Sequence, residues 1–103
     1  MRIENRLSKM LGVDYPIVQA PMGWIARSQL ASAVSNAGEL GIIETSSGEL
    51  DAVREEIKKM KRLTTKPFGV NIALAFVRDP NIVKFVEDAV AKEGVKFVTQ
   101  LGP

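Results

Sequence analysis

Short apolar runs alternate with amphipathic stretches along the whole chain. The apolar runs, each bounded by proline, glycine or polar residues, predict four β-strands over 16–20, 40–43, 68–74 and 95–99. Between them, apolar residues recur at helical spacing, most clearly at Leu50, Val53, Ile57 and Met60. Ile3, Leu7 and Met10 predict a short leading helix on the same grounds. The order βαβαβαβ indicates an α/β fold with a parallel sheet and right-handed crossovers.

Residues that favour helix starts precede each of the three main helices. Ser28 is predicted to cap the first of them through its side chain. Ser46 and Glu49 have the spacing of a capping box, which would begin the second. Asp79 followed by Pro80 predicts the start of the third, because proline is favoured at the first helical position.

The predicted strands are apolar at consecutive positions rather than at alternate ones. This pattern is typical of parallel strands that are covered on both faces. Both an open, doubly wound sheet and an arc of a barrel satisfy it, and the pattern alone does not separate the two.

Composition narrows the possible classes of function. The 103 residues are 46% hydrophobic and 25% charged, which is typical of one folded domain. Fourteen Lys and Arg against twelve Asp and Glu leave a formal charge of +2, too small an excess to indicate a nucleic-acid partner. The absence of cysteine and histidine excludes disulfides, thiol nucleophiles and His-based triads from this stretch, and we expect no metal site. No apolar run reaches membrane-spanning length and none opens the chain as a signal peptide does, so we expect a cytoplasmic protein without a membrane partner.

In a parallel α/β fold, ligands bind beyond the carboxyl ends of the strands. The residues found there are Ala20, Pro21, Met22 and Gly23 after the first predicted strand, Asn71 within the third and Thr99 at the end of the fourth. Asn71 is unusual because amides are depleted from strands, and it is either a structural amide bonded to nearby backbone or a group offered to a ligand. Met22 and Trp24 are either an apolar plug or a wall against a flat ring. No dinucleotide fingerprint or P-loop follows any strand.

Three segments resemble the nitronate monooxygenase family, also called 2-nitropropane dioxygenases. They read QAPMG at 19–23, LASAVSNAGELGII at 30–43 and KPFGVNI at 66–72, in the family's order and spacing. The FMN-dependent enoyl-(acyl-carrier-protein) reductases are close relatives of that family. The resemblance implies that residues 1–103 form a single partial domain, the N-terminal (βα)₃β part of an FMN-binding TIM barrel with its helices outside.

The resemblance also implies a site and an activity. Ala20, Pro21, Met22 and Gly23 would lie against the isoalloxazine ring of FMN, Asn71 would bond its polar edge, and Thr99 would line the same pocket. Family members oxidise alkyl nitronates with O₂, whereas the reductases reduce an enoyl thioester with a nicotinamide donor. Alanine and proline at positions 20 and 21 favour the nitronate monooxygenase activity. A catalytically silent half-barrel fragment is the third alternative.

The sequence departs from the family pattern at two places. Glu39 replaces a glycine in the family's Gly-Gly-Leu-Gly turn, at the amino end of a strand, where we expect a tolerated change. The family's catalytic histidine and phosphate-binding loops belong to sequence beyond residue 103, so the catalytic residue is unknown and we expect this stretch alone to be inactive. Because its strands are apolar on both faces, we expect self-association or a separate C-terminal half as partner.

Overall fold

The computed structural model describes residues 2–23, 25–45, 49–73 and 80–101. Within these ranges the elements are α1 (Arg6–Leu11), α2 (Ser28–Asn36), β1 (Gly41–Ile43), α3 (Leu50–Leu63), β2 (Phe68–Ala73), α4 (Ile82–Ala91) and β3 (Phe97–Leu101). The strands form a parallel sheet in the order β1-β2-β3. Each is joined to the next through a helix, which confirms the predicted α/β architecture.

Apolar side chains cover both faces of the sheet. On one face Ile43, Val70 and Ile72 pack with buried residues of α3 and α4. The predicted stripe of α3, namely Leu50, Val53, Ile57 and Met60, is buried there in full. On the other face Leu40 and Ile42 pack with Leu11 and Val13, and Phe97 of β3 lies against them. The second cluster occupies the amino-terminal end of the sheet on that face, and Asn71 and Thr99 follow it toward the carboxyl end.

Helix α2 packs on the sheet through small residues. Its buried positions are Ser28, Ala31, Ser32 and Ser35, whereas the larger Leu30 and Val34 are only half-buried. A Cβ built on Gly41 would lie 2.1 Å from the carbonyl oxygen of Ala31. The backbones of α2 and β1 therefore touch, and side chains larger than serine have no room between them.

The predicted side-chain cap of α2 is wrong. Ser28 is the first helical residue and Arg27 is the N-cap, which makes no side-chain cap bond. Instead, the Glu56 carboxylate of α3 accepts from the Ser28 backbone N–H at 3.4 Å and from its hydroxyl at 3.4 Å. A carboxylate at a helix N-terminus satisfies free N–H groups and interacts favourably with the helix dipole. The start of α2 is therefore capped by a carboxylate from another helix and not by the side chain of Ser28.

Helices α3 and α4 begin later than their capping signals predict. Helix α3 starts at Leu50 with Glu49 as N-cap, and α4 starts at Ile82 with Asn81 as N-cap, so Pro80 precedes the helix. Ser46 and Asp79 lie outside the described residues. Each helix begins at its first apolar residue that packs on the core, because packing of the apolar face supplies most of a helix's stability.

The first predicted strand is reduced to one parallel bridge between Val18 and Leu40. Proline at 16 and 21 brackets this segment, and proline cannot donate to a ladder. The leading helix exists as α1, capped by Asn5 and ended by Gly12 in the left-handed conformation at φ 70°. Its predicted apolar stripe is wrong, because Leu7 and Met10 are exposed while Ser8 and Leu11 are buried. The last strand begins at Phe97 rather than at residue 95.

The lysines of α3 lie on its exposed face. Lys58 pairs with Glu55 at 3.6 Å and Lys59 pairs with Glu56 at 3.4 Å, each one turn along the helix.

Across the described ranges, no helix combines the length and the apolar character that crossing a membrane requires.

Candidate functional site at the carboxyl end of the sheet

Three polar residues join the strands at the carboxyl end of the sheet. Asn71 of β2 stands opposite Thr99 of β3, and the Thr99 hydroxyl donates to Asn71 Oδ1 at 2.8 Å. Thr45, which follows β1, donates from its hydroxyl to the backbone carbonyl of Asn71 at 2.8 Å. Thr45 and Asn71 are buried, whereas Thr99 is exposed. Asn71 is therefore the centre of a hydrogen-bonded row across three strands.

The bond to Thr99 engages one end of the Asn71 amide. Since Oδ1 accepts from that hydroxyl, the nitrogen of the amide carries the donors that remain. Side chains alternate between faces along a strand, so Asn71 projects from the opposite face to the buried Val70 and Ile72. The site on this face is thus a hydrogen-bond donor that a buried side chain holds at the carboxyl end of the sheet.

Residues 20–23 form an exposed loop beside β1. The Met22 carbonyl accepts from the N–H groups of Ile25 at 3.1 Å and Ala26 at 2.9 Å, which makes a tight turn. Met22 itself is 38% exposed. Trp24 lies outside the described residues. The loop is at the same end of the sheet as Asn71, but β1 lies between the two. Of the residues predicted for the site, Asn71 and Thr99 are therefore in contact, and the loop at 20–23 is one strand away.

Further polar residues lie at this end of the sheet, at positions that the sequence pattern did not assign to a ligand. Glu44, which follows β1 and is 4% exposed, pairs with Arg27 at 3.4 Å. Gln19 bonds the main chain of Ile42 through its side chain. The sequence signal for this end is a carboxylate and a hydroxyl directly after a buried strand, at residues 44 and 45, where the capping box at Ser46 and Glu49 predicts only the start of a helix.

The structure also has a groove of about 550 Å³ outside the sheet, between α2 and α3. Arg27, Ser28, Glu56, Lys59 and Arg62 are among its lining residues. The carboxylate of Glu56 in this lining is already engaged by Ser28 and Lys59. None of the residues named for a ligand lines this groove. In the described part of the chain, no group of three His, Cys, Asp or Glu side chains is placed to hold a metal ion.

The chain is similar in sequence to known families and proteins. The family model for nitronate monooxygenase matches residues 4–102. A (3aS,4S,5R,7aS)-5-hydroxy-7a-methyl-1-oxo-octahydro-1H-indene-4-carboxyl-CoA dehydrogenase of Mycobacterium tuberculosis is 46% identical over 70% of this chain and 20% of its own length. Nitronate monooxygenases of Paraburkholderia phytofirmans and Pseudomonas aeruginosa are 42% and 43% identical over 67% and 66% of this chain, and each is covered over 19% of its length.

Solved structures give the same result. FabK from Thermotoga maritima superimposes with a TM-score of 0.82 at 36% identity, over 95% of this chain and 30% of that one. Nitroalkane oxidase from Streptomyces ansochromogenes matches with a TM-score of 0.58 at 43% identity, over 65% of this chain and 19% of that one. The chain spans about a fifth of the curated relatives and about a third of FabK. Its α/β fold is that of part of a TIM barrel, and the chain belongs to the nitronate monooxygenase family.

Proposed function

We propose that the protein carrying this sequence is an FMN-dependent oxidoreductase that oxidises alkyl nitronates with O₂. The residues proposed to contact the flavin are Ala20, Pro21, Met22, Gly23, Asn71 and Thr99. Membership of the family and relatives named nitronate monooxygenase support the activity. The observation that carries the proposed site is the buried Asn71 amide, whose oxygen is engaged by Thr99 and whose nitrogen is left to donate.

The chemistry of these residues fits one edge of a flavin. The polar edge of the isoalloxazine ring presents carbonyl oxygens and unprotonated ring nitrogens, which accept hydrogen bonds from donors such as the Asn71 amide. The ring's flat faces require apolar contacts, which Met22 offers, and close backbone approach, which Gly23 permits. The side chains named here supply no cation for the phosphate, so that group needs residues outside this set.

FMN, when bound, would accept electrons from the nitronate and pass them to O₂. The chain's own residues act by orienting it: Asn71 donates to the polar edge, and Thr99 holds the amide with its nitrogen toward the ligand. The loop at 20–23 would exclude water from the ring on the side of β1. In this proposal the 103 residues form a partial domain of a cytoplasmic enzyme whose substrates are the nitronate and O₂.

A second candidate, an FMN-dependent enoyl-(acyl-carrier-protein) reductase, is favoured by two observations. Thermotoga maritima FabK and its M276A variant match 95% and 98% of this chain with TM-scores of 0.82 and 0.85, whereas nitroalkane oxidase matches 65% with 0.58. A dehydrogenase named for a carboxyl-CoA substrate also shares 46% identity. A thioester substrate is therefore the alternative to a nitronate, and a catalytically silent fragment is the third possibility.

The visible spectrum of the purified full-length protein that carries this sequence separates these candidates first. A flavoenzyme is yellow and retains stoichiometric FMN through gel filtration, whereas a silent protein is colourless and does not bind added FMN. Oxygen consumption with propane 2-nitronate supports the first candidate. Oxidation of NADH or NADPH that depends on an enoyl thioester, without nitronate turnover, supports the second and contradicts the first.

A further inference from the structure

Leu40, Ile42 and Glu44 are alternate residues in and beside β1, and their backbone hydrogen bonds on the side away from β2 differ in kind. At Leu40, the backbone N–H donates to the Ile17 carbonyl at 3.0 Å and the carbonyl accepts from the Gln19 N–H at 3.0 Å. At Glu44, the backbone N–H donates to the Ala26 carbonyl at 2.9 Å. Between them, Ile42 bonds a side chain instead of a backbone. Its N–H donates to Gln19 Oε1 at 3.3 Å, and its carbonyl accepts from Gln19 Nε2 at 3.1 Å.

The sequence explains why a side chain is needed at this position. In a regular parallel ladder, the two hydrogen bonds that follow those of Leu40 would be made by Ile42. Its N–H would donate to the Gln19 carbonyl, and its carbonyl would accept from the N–H of residue 21. Residue 21 is proline, which has no N–H, so the Ile42 carbonyl would lose its donor. The Gln19 side chain provides both a donor and an acceptor at the length required. The backbone after Gln19 therefore leaves the sheet before it forms a second pair of backbone hydrogen bonds with this strand, at the point where the loop at 20–23 begins.

We infer that Gln19 is a positioning residue that holds the loop at 20–23 in place beside β1. Gln19 Nε2 also donates to the Ala20 carbonyl at 3.0 Å, so one amide bonds both the strand and the first residue of the loop. At the other end of the loop, Ala26 is fully buried and its carbonyl bonds Glu44. Gln19 and Ala26, on either side of the loop, are thus bonded to β1 and to the residue directly after it. For flavin binding the inference rests on the proposed function, in which this loop contacts the ring.

Glutamine is the residue type that this arrangement requires. Glutamate has no donor for the two carbonyls, asparagine is shorter by one methylene, and methionine has the same length without the hydrogen bonds. Gln19→Met therefore removes the contact at nearly constant size. Gln29→Met is the matched control, because Gln29 is exposed on α2.

The test is amide hydrogen exchange in the full-length protein that carries this sequence, with and without FMN. In Gln19→Met, the Ile42 amide and the turn amide of Ile25 should exchange at least about tenfold faster, and the FMN dissociation constant should rise about fivefold or more. Gln29→Met should change neither quantity. If Gln19→Met does not fold, Gln19→Glu decides, since it retains the acceptor for Ile42 and should still accelerate exchange at Ile25 and weaken FMN.

A folded Gln19 variant with wild-type exchange at Ile25 overturns the inference. Faster amide exchange at Ile25 with unchanged FMN affinity overturns the inference that Gln19 supports flavin binding. Gln19 is then a structural residue of the loop. Faster exchange in a protein that does not bind FMN even as wild type supports the positioning of the loop and contradicts the proposed function. The two proposals therefore fail separately.

Discussion

Asn71 and Thr99 stand opposite each other on adjacent parallel strands, and the Thr99 hydroxyl donates to Asn71 Oδ1 at 2.8 Å. This bond connects residues 28 positions apart in the chain and ties a buried amide to the neighbouring strand. With Oδ1 accepting from the hydroxyl, the nitrogen of the amide is the group left to donate at this end of the sheet. The hydroxyl of Thr99 is therefore a determinant of what this end of the sheet presents to a ligand.

Asn71→Ala and Thr99→Val test that role in the full-length protein. Asn71→Ala should weaken FMN binding or shift its reduction potential, and Thr99→Val should weaken binding by about three- to tenfold, which corresponds to one hydrogen bond. The measurements are FMN titration by flavin fluorescence and the midpoint potential. Thr65→Val is the matched control, because Thr65 is exposed on the loop before β2.

The opposite result is equally specific. If Asn71→Ala lowers the free energy of unfolding by about 1–3 kcal/mol while flavin affinity and potential in the folded fraction stay unchanged, Asn71 is a structural amide.

Gly41→Ala should destabilise the protein strongly. The added Cβ would lie 2.1 Å from the Ala31 carbonyl oxygen, and neither backbone can yield without separating α2 from β1. We expect a loss of about 3 kcal/mol or more in the free energy of unfolding, measured by urea denaturation. Gly94→Ala is the control: it has φ +73° but nothing within 4 Å of its Cβ, so only the backbone cost of about 1–2 kcal/mol is expected. Equal losses in the two variants would contradict the close approach of α2.

Ser35→Ala should cost more than its size suggests. Ser35 is 1% exposed, and its hydroxyl accepts from the Gly41 N–H at 3.1 Å and donates to the Pro67 carbonyl at 2.9 Å. Its removal leaves two backbone groups without that partner, for an expected loss of about 2–4 kcal/mol. Ser32→Ala, on the same helix, removes a bond only to the Gln29 carbonyl one turn away and should cost about 1 kcal/mol or less. Thermal or urea unfolding of both variants decides, and a Ser35→Ala protein as stable as Ser32→Ala contradicts the bridging role.

The 103-residue chain by itself should self-associate. Strand β3 is at the edge of the described sheet, and Val98 within it is 40% exposed. At the opposite edge Ile17 and Val18 are 51% and 42% exposed. An open strand edge with apolar side chains pairs readily with another chain. Light scattering at micromolar concentration should therefore show dimers or larger species.

A charged residue at the edge should reduce that association. Val98→Lys introduces a lysine on β3, whereas Val83→Lys introduces one at a 66% exposed position of α4. We expect the first to shift the distribution toward monomer and the second to leave it unchanged. A folded wild-type monomer at all concentrations would show that the edges are protected in another way.

Local patterns in the sequence determined the architecture and the end of the sheet at which the candidate site lies. The stripe Leu50, Val53, Ile57 and Met60 predicted α3 because a helix has a fixed period and one face must leave water. Alternation of strands and helices predicted the parallel sheet, and parallel strands necessarily bring residues 71 and 99 to one end. These inferences succeed because each depends on spacing within one element or on the order of the elements.

Tertiary structure alone decided the contacts between residues far apart. Glu56 caps α2 from 28 positions away, although Ser28 had the local signal, and Gln19 replaces a backbone pair beside Ile42, 23 positions along the chain. The packing face of α2 was set by Gly41 rather than by its own larger side chains. A hydrogen bond or a close approach depends on distances of a few tenths of an ångström, which arise only once packing has fixed the register of two elements. Periodicity along the chain carries no information about that register.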